Sequence, residues 1–271
     1  MPISAMNSPA DGAGPAETTF DAFYGGRFHL LQPAGSGFRG GLDALLLAAS
    51  IPASRQGKAA DLGSGAGTAG FATAARCPNL RLTLVENQPA MAAFARRSID
   101  LPENALLAPR LGVVEADLLS KRGAREAAGL FDGSFRTVLT NPPFHPAGSR
   151  VSPDALKNAA RAIPSPDFLA GWIRTAAILL EDGGLFALLA RPDNLPDILA
   201  GVPNRFGDLR ILPVHSRADR PAIRILVHAR RGSNAPLSLL APVVLHGPDG
   251  ALTELGAAIG TGEAWIDLGL T

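Results

Sequence analysis

Between Ala59 and Ala190 the chain alternates short apolar runs with helical stretches, and this rhythm restricts the fold more than any other feature. Ala59 to Leu62 reads as a short strand, Thr68 to Arg76 as a helix stopped by Pro78-Asn79, and Arg81 to Glu86 as a second strand. Pro89 suits the first turn of a helix reaching about Ile99. Leu111 to Glu115 and Phe135 to Thr140 supply the third and fourth strands. Ser165-Pro166-Asp167 opens a long helix through Leu180, Gly183-Gly184 ends it, and Leu185 to Ala190 is the fifth strand. Two more β-rich runs, Leu209 to Val214 and Ile223 to Ala229, flank the polar stretch His215 to Arg220 and predict an antiparallel pair at one sheet edge. Strands and helices in this order bury both faces of a parallel sheet. The expected fold is α/β: a doubly wound, Rossmann-like, mostly parallel seven-stranded sheet with a terminal antiparallel strand pair.

At 271 residues and 46% hydrophobic, the chain can bury one large core. Residues 1–18, rich in Ala, Gly, Pro and Ser, read as a mobile tail, and residues 19–55 as an extension covering the site. Within that extension Gly25-Gly26 marks a turn, and Asp43 is positioned to cap an Ala/Leu-rich helix ending near Pro52. Residues 56–231 form the expected core, and 232–271 a Pro/Gly-rich C-terminal extension without clear periodicity. Cys77 is the sole cysteine, which excludes an internal disulfide and fits a reducing, cytoplasmic setting. No targeting segment or transmembrane helix is expected, and the five histidines lack metal-ligand spacing, so no metal is expected either.

Asp61-Leu62-Gly63-Ser64-Gly65-Ala66-Gly67 stands between a strand and a helix, where glycines permit a tight turn and bring backbone N–H groups close to a ligand. An ordinary βα turn has the same composition, so two acids matter. Glu86 ends the next strand about 20 residues on, where a carboxylate can accept both hydroxyl hydrogens of a ribose. Asp117 follows the third strand, where its carboxylate can accept from an adenine amino group. All three features lie at the carboxyl ends of strands, where open α/β sheets bind ligands. In the G-x-G-x-x-G pattern counted from Gly63, Thr68 replaces the third glycine, which weakens a dehydrogenase reading.

Directly after the fourth strand comes Asn141-Pro142-Pro143-Phe144. The prolines remove two N–H groups and hold the residues before them extended, so the Asn141 side chain and nearby carbonyls can point the same way as hydrogen-bond acceptors. A conjugated amino group is a poor nucleophile. Accepting both its hydrogens while aiming its lone pair at a sulfonium methyl assists in-line transfer, and Phe144 offers a flat surface on which an unstacked base can lie. On the tetrapeptide alone, this reading and a Pro-rich turn whose Phe plugs the core are equally compatible.

Taken together, the Asp61 to Gly67 loop, Glu86, Asp117 and Asn141-Pro142-Pro143-Phe144 resemble the class I methyltransferases with an N-P-P-[FY] motif, which include adenine-N6, guanine-N2 and glutamine-N5 methyltransferases. The resemblance implies S-adenosylmethionine as cofactor, held by Asp61, Gly63, Gly65, Gly67, Glu86 and Asp117, with Asn141 and the Pro142 carbonyl binding the acceptor amine. Gln32-Pro33, Gly37-Phe38-Arg39 and Asp43 to Ala48 upstream, with Arg217 to Val227 downstream, are similar to the bacterial family that contains the valine-tRNA adenine-N6 methyltransferase, over about residues 20 to 255. That likeness implies an RNA partner, with tRNA as the acceptor, whereas His145 after Phe144 matches the ribosomal guanine-N2 enzymes.

Arg39 can reach the methionine carboxylate or an RNA phosphate, and equally fits an exposed arginine. The same two readings hold for Arg150, Lys157 and Arg161 as a phosphate rim, and for Arg217, Arg220 and Arg224. With 25 Lys+Arg against 24 Asp+Glu, any RNA contact has to be a local patch. A non-catalytic RNA-binding protein on the same fold and a nicotinamide enzyme are the competing classes.

Overall fold

The computed structural model describes residues 18–34, 41–142, 145–146, 162–163 and 167–269. Residues 1–17 of the expected tail, Arg39, Pro143, Phe144, Arg150, Lys157, Arg161, Ser165 and Pro166 lie outside the described residues, while Thr18, expected in the tail, opens the first strand.

The parallel centre follows the sequence pattern. β3 (Gly57–Leu62), β4 (Leu80–Glu86), β5 (Leu111–Glu115) and β6 (Phe135–Thr140) alternate with α2 (Thr68–Arg76), α3 (Pro89–Ile99) and α4 (Arg122–Ala127). Helix α5 (Phe168–Leu179) leads directly into β9 (Leu180–Ala190), and α6 (Leu195–Gly201) follows it. The sheet is completed by β10 (Phe206–Arg217), β11 (Ala222–Arg231), β12 (Ser238–Leu239) and β13 (Val243–His246). Its order is β12-β10-β11-β9-β6-β3-β4-β5, with β13 also paired to β10. Seven of these nine strands are the expected ones.

Period-two alternation sorts each strand between two cores. On one face Leu82, Leu84, Leu139, Ala187, Leu189 and Leu226 pack under α1 (Leu42–Ser50) and α2. On the other, Leu62, Val85, Val138, Phe186 and Val227 pack under α5. Such two-sided burial is what a doubly wound sheet requires.

Three expectations are corrected. Gly183-Gly184 does not end a helix: α5 stops at Leu179 and β9 begins at Leu180, which pairs with Phe135 before the register shifts to Thr137 and Leu185. Gly183 takes φ +75°, and a Cβ on Gly184 would stand 2.8 Å from the Glu181 carbonyl oxygen, so the glycines serve an irregularity inside the strand. Asp43 is not the cap of α1. Gly41 holds that position, and Asp43 in the first turn forms a bidentate ion pair with Arg224, at 2.9 to 3.0 Å. The β10–β11 pair is not at a bare edge, because β12 and β13 add to β10 in parallel. Helix α7 (Glu254–Thr261), capped by Thr253 Oγ1 accepting the Gly256 N–H at 3.1 Å, completes the segment that lacked periodicity.

The N-terminal part contributes an antiparallel pair, β1 (Thr18–Phe23) and β2 (Phe28–Pro33). Asn104 anchors it: its Oδ1 accepts the His29 N–H at 2.9 Å and its Nδ2 donates to the His29 carbonyl at 2.7 Å. Leu31 then packs beside Ala66, Met91 and Phe94, bringing this pair against the glycine loop. A two-residue parallel pairing joins β7 (His145–Pro146) to β8 (Ala162–Ile163). Among the described residues no helix is long and apolar enough to cross a membrane, and no group of His, Cys, Asp and Glu is placed to hold a metal.

Candidate active site

Adjacent parallel strands bring the sequence-predicted residues together. Leu62 pairs with Val85 on one side and Thr140 on the other, and Glu86 pairs with Glu115. Consequently the loop after β3, Glu86, Asp117 and Asn141 all open at the carboxyl edge of the sheet.

The loop turns sharply because Gly63, Gly65 and Gly67 take φ of +70°, +56° and +98°, a region that favours glycine. The Gly63 and Ser64 N–H groups both donate to the Val85 carbonyl, at 2.8 and 3.0 Å, which pins the loop to β4. Glu86 pins it a second time. Its Oε2 accepts the Gly65 N–H and its Oε1 the Gln88 N–H, each at 2.8 Å. Burial pushes the Glu86 carboxyl above the usual carboxylate range, while these backbone donors pull it back down. Each carboxylate oxygen carries further lone pairs, so Glu86 is oriented without being exhausted as an acceptor.

Asp61 sits differently from the expectation that grouped it with the cofactor ligands. It is buried under the loop, its Oδ2 accepting the Gly70 N–H at 2.8 Å, so it acts on the loop through the start of α2. Burial, reinforced by nearby Glu86, pushes its carboxyl up to about 7 against the lowering effect of that hydrogen bond. Gly70 was missed in the sequence. A Cβ there would stand 2.1 Å from Leu84 Cδ2 and 3.2 Å from Asp61 Oδ2. The signal was present as Gly65-x-Gly67-x-x-Gly70, a G-x-G-x-x-G in a register two residues later than the one counted from Gly63.

Asp117 is exposed, and its Oδ1 accepts the Leu119 N–H at 2.9 Å, the geometry of a turn cap. The Ala116 N–H donates to the Glu86 carbonyl at 3.0 Å, which keeps Asp117 beside Glu86.

Asn141 leaves β6 next to this loop. Its Oδ1 is buried and has no hydrogen-bond partner among the described residues, and the same holds for Ser64 Oγ. An unpaired buried acceptor costs about 1–3 kcal/mol, so its retention at a strand end beside a glycine loop points to a ligand that donates. Pro142 is buried behind it. Of the arginines weighed earlier, Arg224 is committed to Asp43, whereas Arg217 donates to the Pro248 carbonyl at 2.8 Å and Arg220 is exposed.

A family model described as Methyltransferase small domain matches residues 39–193, more than half of the chain. The chain belongs to that family. Its match includes Asp61, the glycine loop, Glu86, Asp117 and Asn141. Among curated relatives, the tRNA1(Val) (adenine(37)-N6)-methyltransferase of Aeromonas hydrophila is 28% identical over 79% of this chain and 85% of its own length. The ribosomal RNA small subunit methyltransferase C of Erwinia tasmaniensis is 30% identical over 60% of this chain, which spans only 44% of that protein. Among solved structures, a protein of Agrobacterium tumefaciens described as a "predicted O-methyltransferase" has a TM-score of 0.72 and 37% identity, covering 83% of this chain and 98% of its own. A Thermus thermophilus 16S rRNA N2-guanine methyltransferase, solved with AdoMet and guanosine, has a TM-score of 0.53 at 18% identity, covering 82% of this chain and 53% of its own, and shares the fold.

Proposed function

We propose that this methyltransferase uses S-adenosylmethionine to methylate an exocyclic amino group, N6 of an adenine in tRNA. The observation that carries the reading is the buried Asn141 Oδ1, without a hydrogen-bond partner among the described residues and one strand away from the glycine loop. The residues fit the cofactor: Gly63 and Gly65 put no side chain at two of the positive-φ positions of the loop, Glu86 is an oriented carboxylate for ribose hydroxyls, and Asp117 lies beside it for the adenine amino group. S-adenosylmethionine supplies a methyl group on a sulfonium, an electrophile that requires only an aligned lone pair. Asn141 Oδ1 accepts one amino hydrogen and the Pro142 carbonyl the other, which fixes the nitrogen and directs its lone pair. Phe144 supplies the stacking surface. No strongly basic side chain is needed until the methylated nitrogen releases its proton.

The choice of tRNA adenine rests on the Aeromonas relative, which aligns over most of both chains, whereas the ribosomal RNA relative aligns over less than half of its own. Local cations are also compatible with RNA. β10 runs parallel to β9 because β11 is antiparallel to both, so Arg217 and Arg220 emerge at the same sheet edge as Asn141, three strand spacings or roughly 14 Å from β6. Asn141→Ala is expected to abolish methylation with S-adenosylmethionine affinity nearly unchanged. Unchanged turnover would remove the acceptor assignment. Mass spectrometry of a deletion strain decides the substrate: loss of N6-methyladenosine from tRNA supports it, while loss of N2-methylguanosine from ribosomal RNA, of a methylated protein glutamine or of an O-methyl group replaces it.

A further inference from the structure

Trp172 joins the two halves of the site. It lies on α5, is buried, and reaches beneath the carboxyl ends of β3 and β6. Its indole Nε1–H donates to Thr140 Oγ1 at 3.0 Å, and the Thr140 hydroxyl donates to the Leu62 carbonyl at 2.7 Å. Since a hydroxyl has one proton, the direction of this relay is fixed: indole N–H to threonine oxygen, threonine O–H to backbone carbonyl. Leu62 immediately precedes Gly63 of the glycine loop, and Thr140 immediately precedes Asn141. The ring also fills the space beside Gly63, where a Cβ would meet Trp172 Cζ2 at 2.9 Å and Cη2 at 3.1 Å. One side chain thus touches the residue that starts the cofactor loop and the residue that presents the acceptor-binding Asn141.

We infer that the Trp172–Thr140–Leu62 relay is a positioning device that sets the separation between the cofactor loop and Asn141, and therefore between methyl donor and acceptor nitrogen. The inference rests on the reading of Asn141 as the acceptor-binding residue. Methyl transfer is sensitive to that separation, since a misplacement of about 1 Å costs on the order of 100-fold in rate. The relay is well suited to hold it. Parallel-sheet pairing already aligns Leu62 with Thr140, and the buried hydroxyl and indole have no water to exchange for their partners. Trp172 and Thr140 contact neither reactant in this scheme and act through Gly63 and Asn141.

The test uses the full-length protein with radiolabelled S-adenosylmethionine, and as acceptor the total RNA and soluble protein of a strain lacking the gene. Trp172→Phe retains a ring and loses the donor, Thr140→Val retains the shape and loses the hydroxyl, and Thr140→Ser restores the hydroxyl. Both losing variants are expected to show kcat reduced roughly 10- to 100-fold, with the S-adenosylmethionine Kd from calorimetry within about threefold of wild type, and Thr140→Ser near-wild-type turnover. In a Trp265→Phe background Trp172 is the sole indole, and adding Thr140→Val is expected to shift its emission to the blue. Wild-type kcat in both losing variants overturns the inference, as does a Kd that weakens in proportion to the lost turnover, because the relay would then only support the cofactor loop. Failure of the underlying reading is separable: it shows as retained turnover in Asn141→Ala, which leaves the variants at positions 172 and 140 to be read independently.

Discussion

Replacing Gly70 with alanine tests the packing on which the cofactor loop rests. The added methyl would stand 2.1 Å from Leu84 Cδ2, and Leu84, on β4, is completely buried against α2. Restoring an ordinary carbon–carbon contact of 3.5–4.0 Å requires a displacement of about 1.5 Å. Helix α2 cannot take up all of it, because the Gly70 N–H is bonded to Asp61 at 2.8 Å and the methyl would also press within 3.2 Å of that carboxylate oxygen. Overpacking of this kind costs about 1–3 kcal/mol, while alanine in a helix returns about 0.5–1 kcal/mol of backbone entropy and propensity. The expected net loss is about 1–2 kcal/mol. Leu84→Ala alone should cost about 2–5 kcal/mol through the cavity it leaves. In the double variant the new methyl occupies space vacated by Leu84, so its loss should fall short of the sum by at least about 1 kcal/mol. Urea unfolding followed by far-ultraviolet circular dichroism measures all three. Gly260→Ala, on α7 with nothing within 4 Å of the added methyl, is the control and should stabilise slightly. Strict additivity of Gly70→Ala and Leu84→Ala, within about 0.5 kcal/mol, would refute the steric account.

Two titrations follow from burial. Asp61 is pushed up to about 7, above its unfolded value, so its favourable contribution is complete below about pH 4 and is lost as pH rises through 7. Asp61→Asn keeps an oxygen for the Gly70 N–H, and its stability relative to wild type is expected to rise by about 4 kcal/mol between pH 4 and pH 8, where a pH-independent difference in urea unfolding would refute the assignment. His228 is fully buried, its Nε2 within 3.0 Å of Ser50 Oγ, and burial pushes its pKa down to about 3. Its contribution is therefore present above about pH 6.5 and lost as pH falls toward 3, and His228→Gln should remove about 2 kcal/mol of the wild-type loss between pH 6.5 and pH 5. Identical acid limbs for the two proteins would contradict this.

The parallel centre was legible because its signals are local. Pro78-Asn79 stops α2 and Pro89 starts α3, and the strand ends carry acids where a loop must bind something. The rest depended on partners distant in the sequence. Asp43 looks like a helix cap until Arg224, 181 residues away, claims its carboxylate. Gly183-Gly184 has the composition of a helix stop, yet Leu180 pairing with Phe135 pulls the chain into the sheet earlier. Strands β12 and β13, of two and four residues, are too short to show periodicity, and only the exposed flank of β10 makes them strands at all. The glycine loop, Glu86 and Asn141 meet at one sheet edge, as their places after successive parallel strands implied. Gly70 was readable in principle and hidden by the choice of register, while Trp172 is one apolar residue among many on α5 until its indole N–H is seen to have a destination.

The parallel additions to β10 bear on how this chain can be cut or fused. A protein ending near Gly232 would keep every residue of the proposed site but would strip β12 and β13 from a twelve-residue strand, leaving its N–H and C=O groups as a template for another chain. Such a fragment should self-associate even though its catalytic residues are whole. On this view residues 233–269, which hold none of the proposed site, act as a cover that keeps the flank of β10 from pairing with another chain.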